Sequence, residues 1–138
     1  MRRSKKLSLV IAPLLVLGLA GTAFALTTFA PTLSLDASAN RFGHRIVAAG
    51  TYDAVSPICH GPGGRSVTVY VNGKAKALGS TRGKGQYRIG GIGPFPAGTY
   101  QVQTFVPGSV RSGYGQTHVC LDAWSNVDPV RLGKPSNT

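Results

Sequence analysis

The sequence predicts a small all-β domain built as a two-sheet sandwich. Three observations carry that expectation. Apolar and polar residues alternate with period two along much of the chain, helical periodicity is almost absent beyond residue 25, and clusters of Gly, Pro, Asn and Ser fall between the alternating runs. Each run offers one apolar face that a second sheet must cover, which favours a sandwich over a barrel for six or seven strands.

In chain order, Thr32 to Ala37 makes a first strand with Leu33 and Leu35 on one face. Arg45 to Ala54 makes a second, with Ile46, Ala48, Gly50 and Tyr52 on one side and Val47, Ala49 and Thr51 on the other. The clearest alternation is Val67-Thr68-Val69-Tyr70-Val71, where three valines share a face. It ends in Asn72-Gly73, the pair that best tolerates the positive φ angles of a tight hairpin. Gln86 to Ile89 and Thr99 to Val106 supply two more strands. Thr117 to Ala123 follows, with Val119, Leu121 and Ala123 alternating against His118, Cys120 and Asp122. A last short strand runs through Val127 to Leu132, and residues 133–138 read as a disordered polar tail. The glycine clusters at 61–64, 79–85, 90–93 and 113–115 read as turns and joints, since none has the spacing of a phosphate-binding loop entering a helix.

Residues 1–25 read as a signal peptide, helical in its apolar part. Arg2, Arg3, Lys5 and Lys6 form a positive start, Leu7 to Ala20 an apolar run, and Ala23-Phe24-Ala25 a small-x-small cleavage pattern. The alternative is an uncleaved membrane anchor, because the apolar stretch continues to Phe29-Ala30 and approaches the roughly 20 residues that span a bilayer. Pro13, Gly18 and Gly21 oppose that alternative, and Thr22 stands where a lipid-accepting cysteine would be needed. The expected address is therefore secreted or cell-envelope, with membrane contact only through the leader. One β domain, residues 26–132, remains, enough to bury roughly 65% of its unfolded surface.

That domain and its tail carry 11 Lys and Arg against Asp36, Asp53, Asp122 and Asp128, a formal balance of +7 with no Glu. The cations are scattered. A general attraction to anionic polymers follows from the charge, beside the simpler reading of solubility. Nucleic acid is not an expected partner, because there is no basic stripe and no recognisable binding motif. Catalysis is poorly supplied: four Asp, no Glu and three His, without a nucleophile elbow, a His-Glu-x-x-His run or paired carboxylates. No enzyme activity and no cofactor are expected, and the sequence assigns no oligomeric state.

Val69-Tyr70-Val71-Asn72-Gly73, Gly85-Gln86-Tyr87 and above all Phe95-Pro96-Ala97-Gly98-Thr99-Tyr100-Gln101-Val102 resemble the bacterial immunoglobulin-like domains of exported and cell-surface proteins. The last of these looks like that family's Pro-x-Gly-Thr-Tyr-x-Val corner into a late strand. A transthyretin-like or carboxypeptidase-regulatory-like sandwich is the close alternative. The resemblance implies an immunoglobulin-like sandwich of about seven strands over residues 31 to 124, and adhesion, spacing or ligand binding as its uses. In the corner itself, Pro96 and Gly98 turn the chain, and the Tyr100 hydroxyl is placed to reach back to a nearby backbone group.

Cys59 and Cys120 are the only cysteines, so in an exported chain the default is one disulfide. In the implied topology the two loops that carry them lie at the same end of the sandwich. A metal site competes, since His60 adjoins Cys59 and His118 precedes Cys120 by two residues, and copper would be the first metal to test were the thiols free. No metal is assigned. The expected function is a non-catalytic binding or structural module that contacts a protein or an anionic envelope polymer. Its contacts come from loops at the disulfide-tied end, through His60, Arg65, Arg111 and Tyr114. A small secreted effector, an inhibitor or toxin, is the alternative.

Overall fold

The computed structural model describes residues 26–61, 63–113 and 115–133. The expected signal peptide at 1–25, the contact residue Tyr114 and the tail from Lys134 onward lie outside the described residues. Those described form an all-β structure of several sheets with one 3-10 turn, Pro57–His60.

One sheet is centred on β4 (Ile46–Asp53). Along one edge of β4 run two short segments, β2 (Thr32–Leu33) and β3 (Asp36–Ala39), and along the other runs β7 (Gln86–Ile92), all antiparallel to it. The second sheet has β5 (Ser66–Val71) between β6 (Lys74–Ser80) and β8 (Gly98–Val106). The far edge of β8 pairs with β11 (Ala123–Trp124) and then β12 (Asp128–Leu132). A separate ribbon is made by β9 (Ser109–Gly113) and β10 (Gln116–Cys120), with β1 (Leu26–Phe29) parallel to β10.

Alternation decides which side chains the two sheets enclose. Leu33, Leu35, Ile46, Ala48, Tyr52, Val67, Val69, Val71, Val102, Val106, Val130 and Leu132 are all buried. They form two clusters, one around Cys59, Tyr52, Val67 and Val106, the other around Ile46, Val69, Val102 and Leu132, with Ile89 packed against both.

Three sequence expectations change. The strand expected over 32–37 divides at Ser34 and Leu35, because Leu35 exchanges two hydrogen bonds with the Asn126 side chain, N–H to Oδ1 at 3.0 Å and Nδ2 to the Leu35 carbonyl at 3.1 Å. Ala37 N–H likewise donates to Asp128 Oδ2 at 2.7 Å, so side chains stitch the edge of one sheet to the edge of the other. The strand expected over 117–123 also divides. His118 and Cys120 face inward in the ribbon, Leu121 is exposed, and Ala123 is buried in the second sheet after the chain crosses over. Strands β1, β6 and β9 lie outside the strands that the sequence predicts, and β7 runs on through Gly90 and Gly91. Gly91 has φ +67, and the register with β4 shifts between Ile46 and Ala48, which identifies a bulge where the sequence reads as a joint.

The Tyr100 corner forms as its residues predict. Tyr100 Oη donates to the Pro96 carbonyl at 2.6 Å, and the ring lies 5.1 Å from that of Phe95. Gly133, the first residue of the expected tail, donates from its N–H to the Gly43 carbonyl at 2.7 Å. No helix among the described residues is long and apolar enough to cross a membrane.

Candidate functional site

The end of the molecule where β4 leaves its sheet is built by the turn 57–60. Ser56 stands at its N-cap, accepting from Ile58 N–H at 3.2 Å, Pro57 takes the first position, where a missing N–H costs nothing, and Gly61 closes it at φ +70. This presents Cys59, fully buried, to Cys120 at the end of β10, and the two form a disulfide across 61 residues. The expected pairing is thus present, and both sulfurs are bonded to each other instead of being free for a metal. Among the described residues, no three His, Cys, Asp or Glu side chains stand close enough to hold one ion.

Three further ties hold the same end. His118 shares a 2.8 Å hydrogen bond from Nδ1 with Ser56 Oγ, and its ring stacks on Phe29 of β1 at 5.2 Å. Strand β1 pairs with β10 from Leu26 against Thr117 to Phe29 against Cys120. Arg65, 5% exposed, donates from Nη1 to Ser109 Oγ at 2.6 Å and from Nη2 to the Pro107 carbonyl. Its guanidinium therefore faces the root of the β9–β10 hairpin and holds it, and is not turned to solvent. Desolvation lowers its pKa, the phenol of Tyr52 raises it, and the neighbouring charge of Arg111 lowers it further.

Arg111 lies in β9 and sends Nε toward the same Ser109 Oγ at 3.4 Å. The rest of its guanidinium lies against Gly61, where an added Cβ would sit 3.0 Å from Nη1. His60 meets the Tyr52 ring edge-on, with centroids 5.5 Å apart. Two polar atoms here are buried without a hydrogen-bond partner, His60 Nδ1 and Tyr52 Oη. Burial pushes the Tyr52 phenol up, while Arg65 and Arg111 pull it the other way, so the hydroxyl sits within the field of both guanidinium groups. Beside them opens a cleft of about 520 Å³ lined by Asp53, Ala54, Val55, Pro57, His60, Gly61, Gly83 and Lys84.

Of the four site residues expected beside the cysteines, the fold thus brings His60, Arg65 and Arg111 to one end, and Tyr114 lies outside the described residues. Sequence reasoning missed Tyr52 and Lys84. Lys84 sits in a Gly83-Lys84-Gly85 turn read only as a joint, and Gly85, at φ +93, lets that turn approach so closely that a Cβ would lie 2.0 Å from the Tyr52 carbonyl and 3.0 Å from His60.

A second surface lies on the outer face of the β5–β8 sheet. Trp124, 51% exposed, packs on Phe105 at 4.4 Å and Tyr70 at 5.3 Å, while Leu78 stands exposed on the neighbouring β6. The signal was present in the sequence, since Tyr70 is out of phase with the three buried valines.

Comparison with protein-family models and with curated proteins found no match to this chain. The class of the molecule therefore rests on its fold and its site: an all-β, disulfide-linked domain with one braced, cation-bearing end.

Proposed function

We propose that this chain is an exported, immunoglobulin-like module that works by binding, without catalysis, and that its disulfide-tied end contacts an anionic envelope polymer or an acidic protein surface. Support for the immunoglobulin-like reading comes from the strand order, β2/β3, β4 and β7 against β6, β5, β8 and β11/β12, and from the Tyr100 corner. Support for export comes from residues 1–25 and from a disulfide, which persists in oxidising compartments.

One observation carries the binding reading. The end braced by the disulfide, by Arg65, by Ser56 with His118 and by β1 is also the end where His60, Lys84 and Asp53 line a cleft and the Arg111 guanidinium packs against Gly61 in its wall. Braced loops lose little conformational freedom on binding, so more of the contact energy appears as affinity. Of the acidic side chains, Asp128 accepts from Ala37 N–H and Asp122 from Gly108 N–H, while Asp53 lines the cleft itself and offsets part of its positive charge.

A pull-down of the purified, exported protein on immobilised polyuronate and polyphosphate tests this reading. Retention that disappears in an Arg111→Ala, Lys84→Ala double variant with unchanged melting temperature supports it, and equal retention by both proteins refutes it. A second reading is favoured by Trp124, since exposed aromatic residues are enriched at protein interfaces. It places a protein partner on the outer face of the second sheet, as would suit a secreted effector, and predicts that Trp124→Ala abolishes capture while the double variant does not.

A further inference from the structure

The positively charged end has a feature that long-range attraction to a polymer does not require: donors without acceptors, converging on one small volume. Arg65 and Arg111 direct three donors to two acceptors, Ser109 Oγ and the Pro107 carbonyl, and among the described residues no carboxylate accepts from either guanidinium. Two like charges that share one hydroxyl repel each other, and a buried charge without a counterion is costly. Among the described residues Arg111 engages only Nε, and its Nη1 and Nη2 fork lies over Gly61, whose missing side chain gives the fork its room. That fork geometry matches the two oxygens of a carboxylate or phosphate. Next to it are the buried, unpartnered Nδ1 of His60 and Oη of Tyr52, each able to donate to an anion. Buried polar atoms of this kind call for an explanation, and a bound ion is one of the few available. The cleft is lined by His60, Gly61 and Lys84, with Asp53 as its one carboxylate.

We propose that His60 and Lys84 of this cleft, together with Arg111 packed against its Gly61 wall, form a receptor for one compact oxyanion group, a carboxylate or a phosphate, presented by the partner. The inference rests on the reading of this end as a binding surface and names the chemical group it takes. Arg111 clamps the group through its fork, the His60 ring contributes from the cleft wall, and Lys84 supplies charge opposite in sign to that of the Asp53 carboxylate. Tyr52 stays neutral and lies beneath the imidazole, fixing the ring edge-on. Arg65 is a positioning residue, since it holds the hairpin that carries Arg111 and is itself turned away.

The test is a titration of the exported protein with inorganic phosphate, acetate and chloride at constant ionic strength, followed by amide and imidazole NMR shifts. The expected result is saturable movement confined to His60, Gly61, Gly85 and Arg111, with affinity at least tenfold weaker in Arg111→Ala and at least threefold weaker in the more exposed Lys84→Ala. Preference for phosphate over acetate assigns a phosphorylated polymer as the source, and the reverse assigns a uronate or an acidic peptide. Shifts that grow linearly at every cationic residue, or saturation by chloride as strongly as by either oxyanion, overturn the receptor. Polymer retention without saturation at Gly61 would also remove the receptor while leaving the binding module in place. Saturation at Gly61 without polymer retention would uphold the receptor and remove the polymer as its partner.

Discussion

Arg65 and Ser109, 44 residues apart, are joined by a 2.6 Å hydrogen bond from the guanidinium to the hydroxyl, and this contact fastens the β9–β10 hairpin to the start of β5. The hairpin carries Arg111 and ends in Cys120, so the position of the cationic rim and the position of the disulfide depend on the same buried side chain. Arg65, which the sequence offers as a binding contact in a loop, is in the fold a brace.

Replacing Arg65 with Ala is expected to lower stability by about 1.5–3 kcal/mol, the range for a hydrogen bond to a charged group whose acceptors are left buried. Urea denaturation checks it: the midpoint falls while the slope is unchanged. An unaltered midpoint would show that the guanidinium is not structural.

Removing the covalent tie by changing Cys59 and Cys120 together to Ser is expected to cost up to ~4 kcal/mol, the chain-entropy limit for a loop of this length. Calorimetry of the oxidised protein and the double variant gives the difference. Identical melting temperatures would mean that the bond does nothing to restrain the unfolded chain.

Gly50 and Gly90 offer a contrast within one sheet. A Cβ on Gly50 would lie 2.0 Å from the Ser34 carbonyl oxygen and 2.7 Å from Tyr87 Oη, the two atoms that make a 2.6 Å hydrogen bond across the β4 edge. Gly50→Ala is therefore expected to destabilise by about 1–3 kcal/mol, the usual penalty for overpacking. A Cβ on Gly90 would meet only a Val47 methyl at 3.9 Å, and Gly90→Ala is expected to be neutral or to stabilise by about 0.4–1 kcal/mol through the unfolded chain. Thermal melts of the two variants should move apart; equal shifts would contradict the close approach at Gly50.

These cases also show how much could be read in advance. The β class, the division of β4 into two alternating faces, the shared valine face of β5 and the Tyr100 corner follow from alternation and turn chemistry, which act over a few residues. Strand β6, Lys-Ala-Lys-Ala-Leu-Gly-Ser, was invisible because its residues have weak strand preference and it exists through its pairing with β5. The division at Leu35 depends on Asn126, 91 residues away, and no local pattern contains it. At the candidate site, His60 and Arg111 were legible as polar residues near the cysteines. Tyr52 was read correctly as one face of a strand, yet its unpartnered hydroxyl is a property of the packed end alone.

Alkaline pH provides an independent check on the core. Burial raises the pKa of both Tyr52 and Tyr87 above the usual phenol value of 10.0, and for Tyr87 this outweighs its hydrogen bond with Thr104. A phenol whose folded pKa is raised binds its proton more tightly in the native state, so its contribution is fully present below the unfolded value and is lost as pH rises through the folded one. Stability is expected to be flat up to about pH 9 and to fall above about pH 10. In Tyr52→Phe the fall is shallower. Unfolding midpoints measured from pH 8 to 11 that show no difference between the two proteins would remove Tyr52 from the account.

The most direct test of the central claim, that the braced end recognises negative charge, is biolayer binding of the purified protein to polyphosphate, polyuronate and neutral dextran across a range of salt concentrations. The account predicts binding to the charged polymers alone, weakening steeply with salt and falling at least tenfold in the Arg111→Ala, Lys84→Ala variant. Binding of all three polymers with equal strength, or a double variant that binds as the parent does, would contradict it.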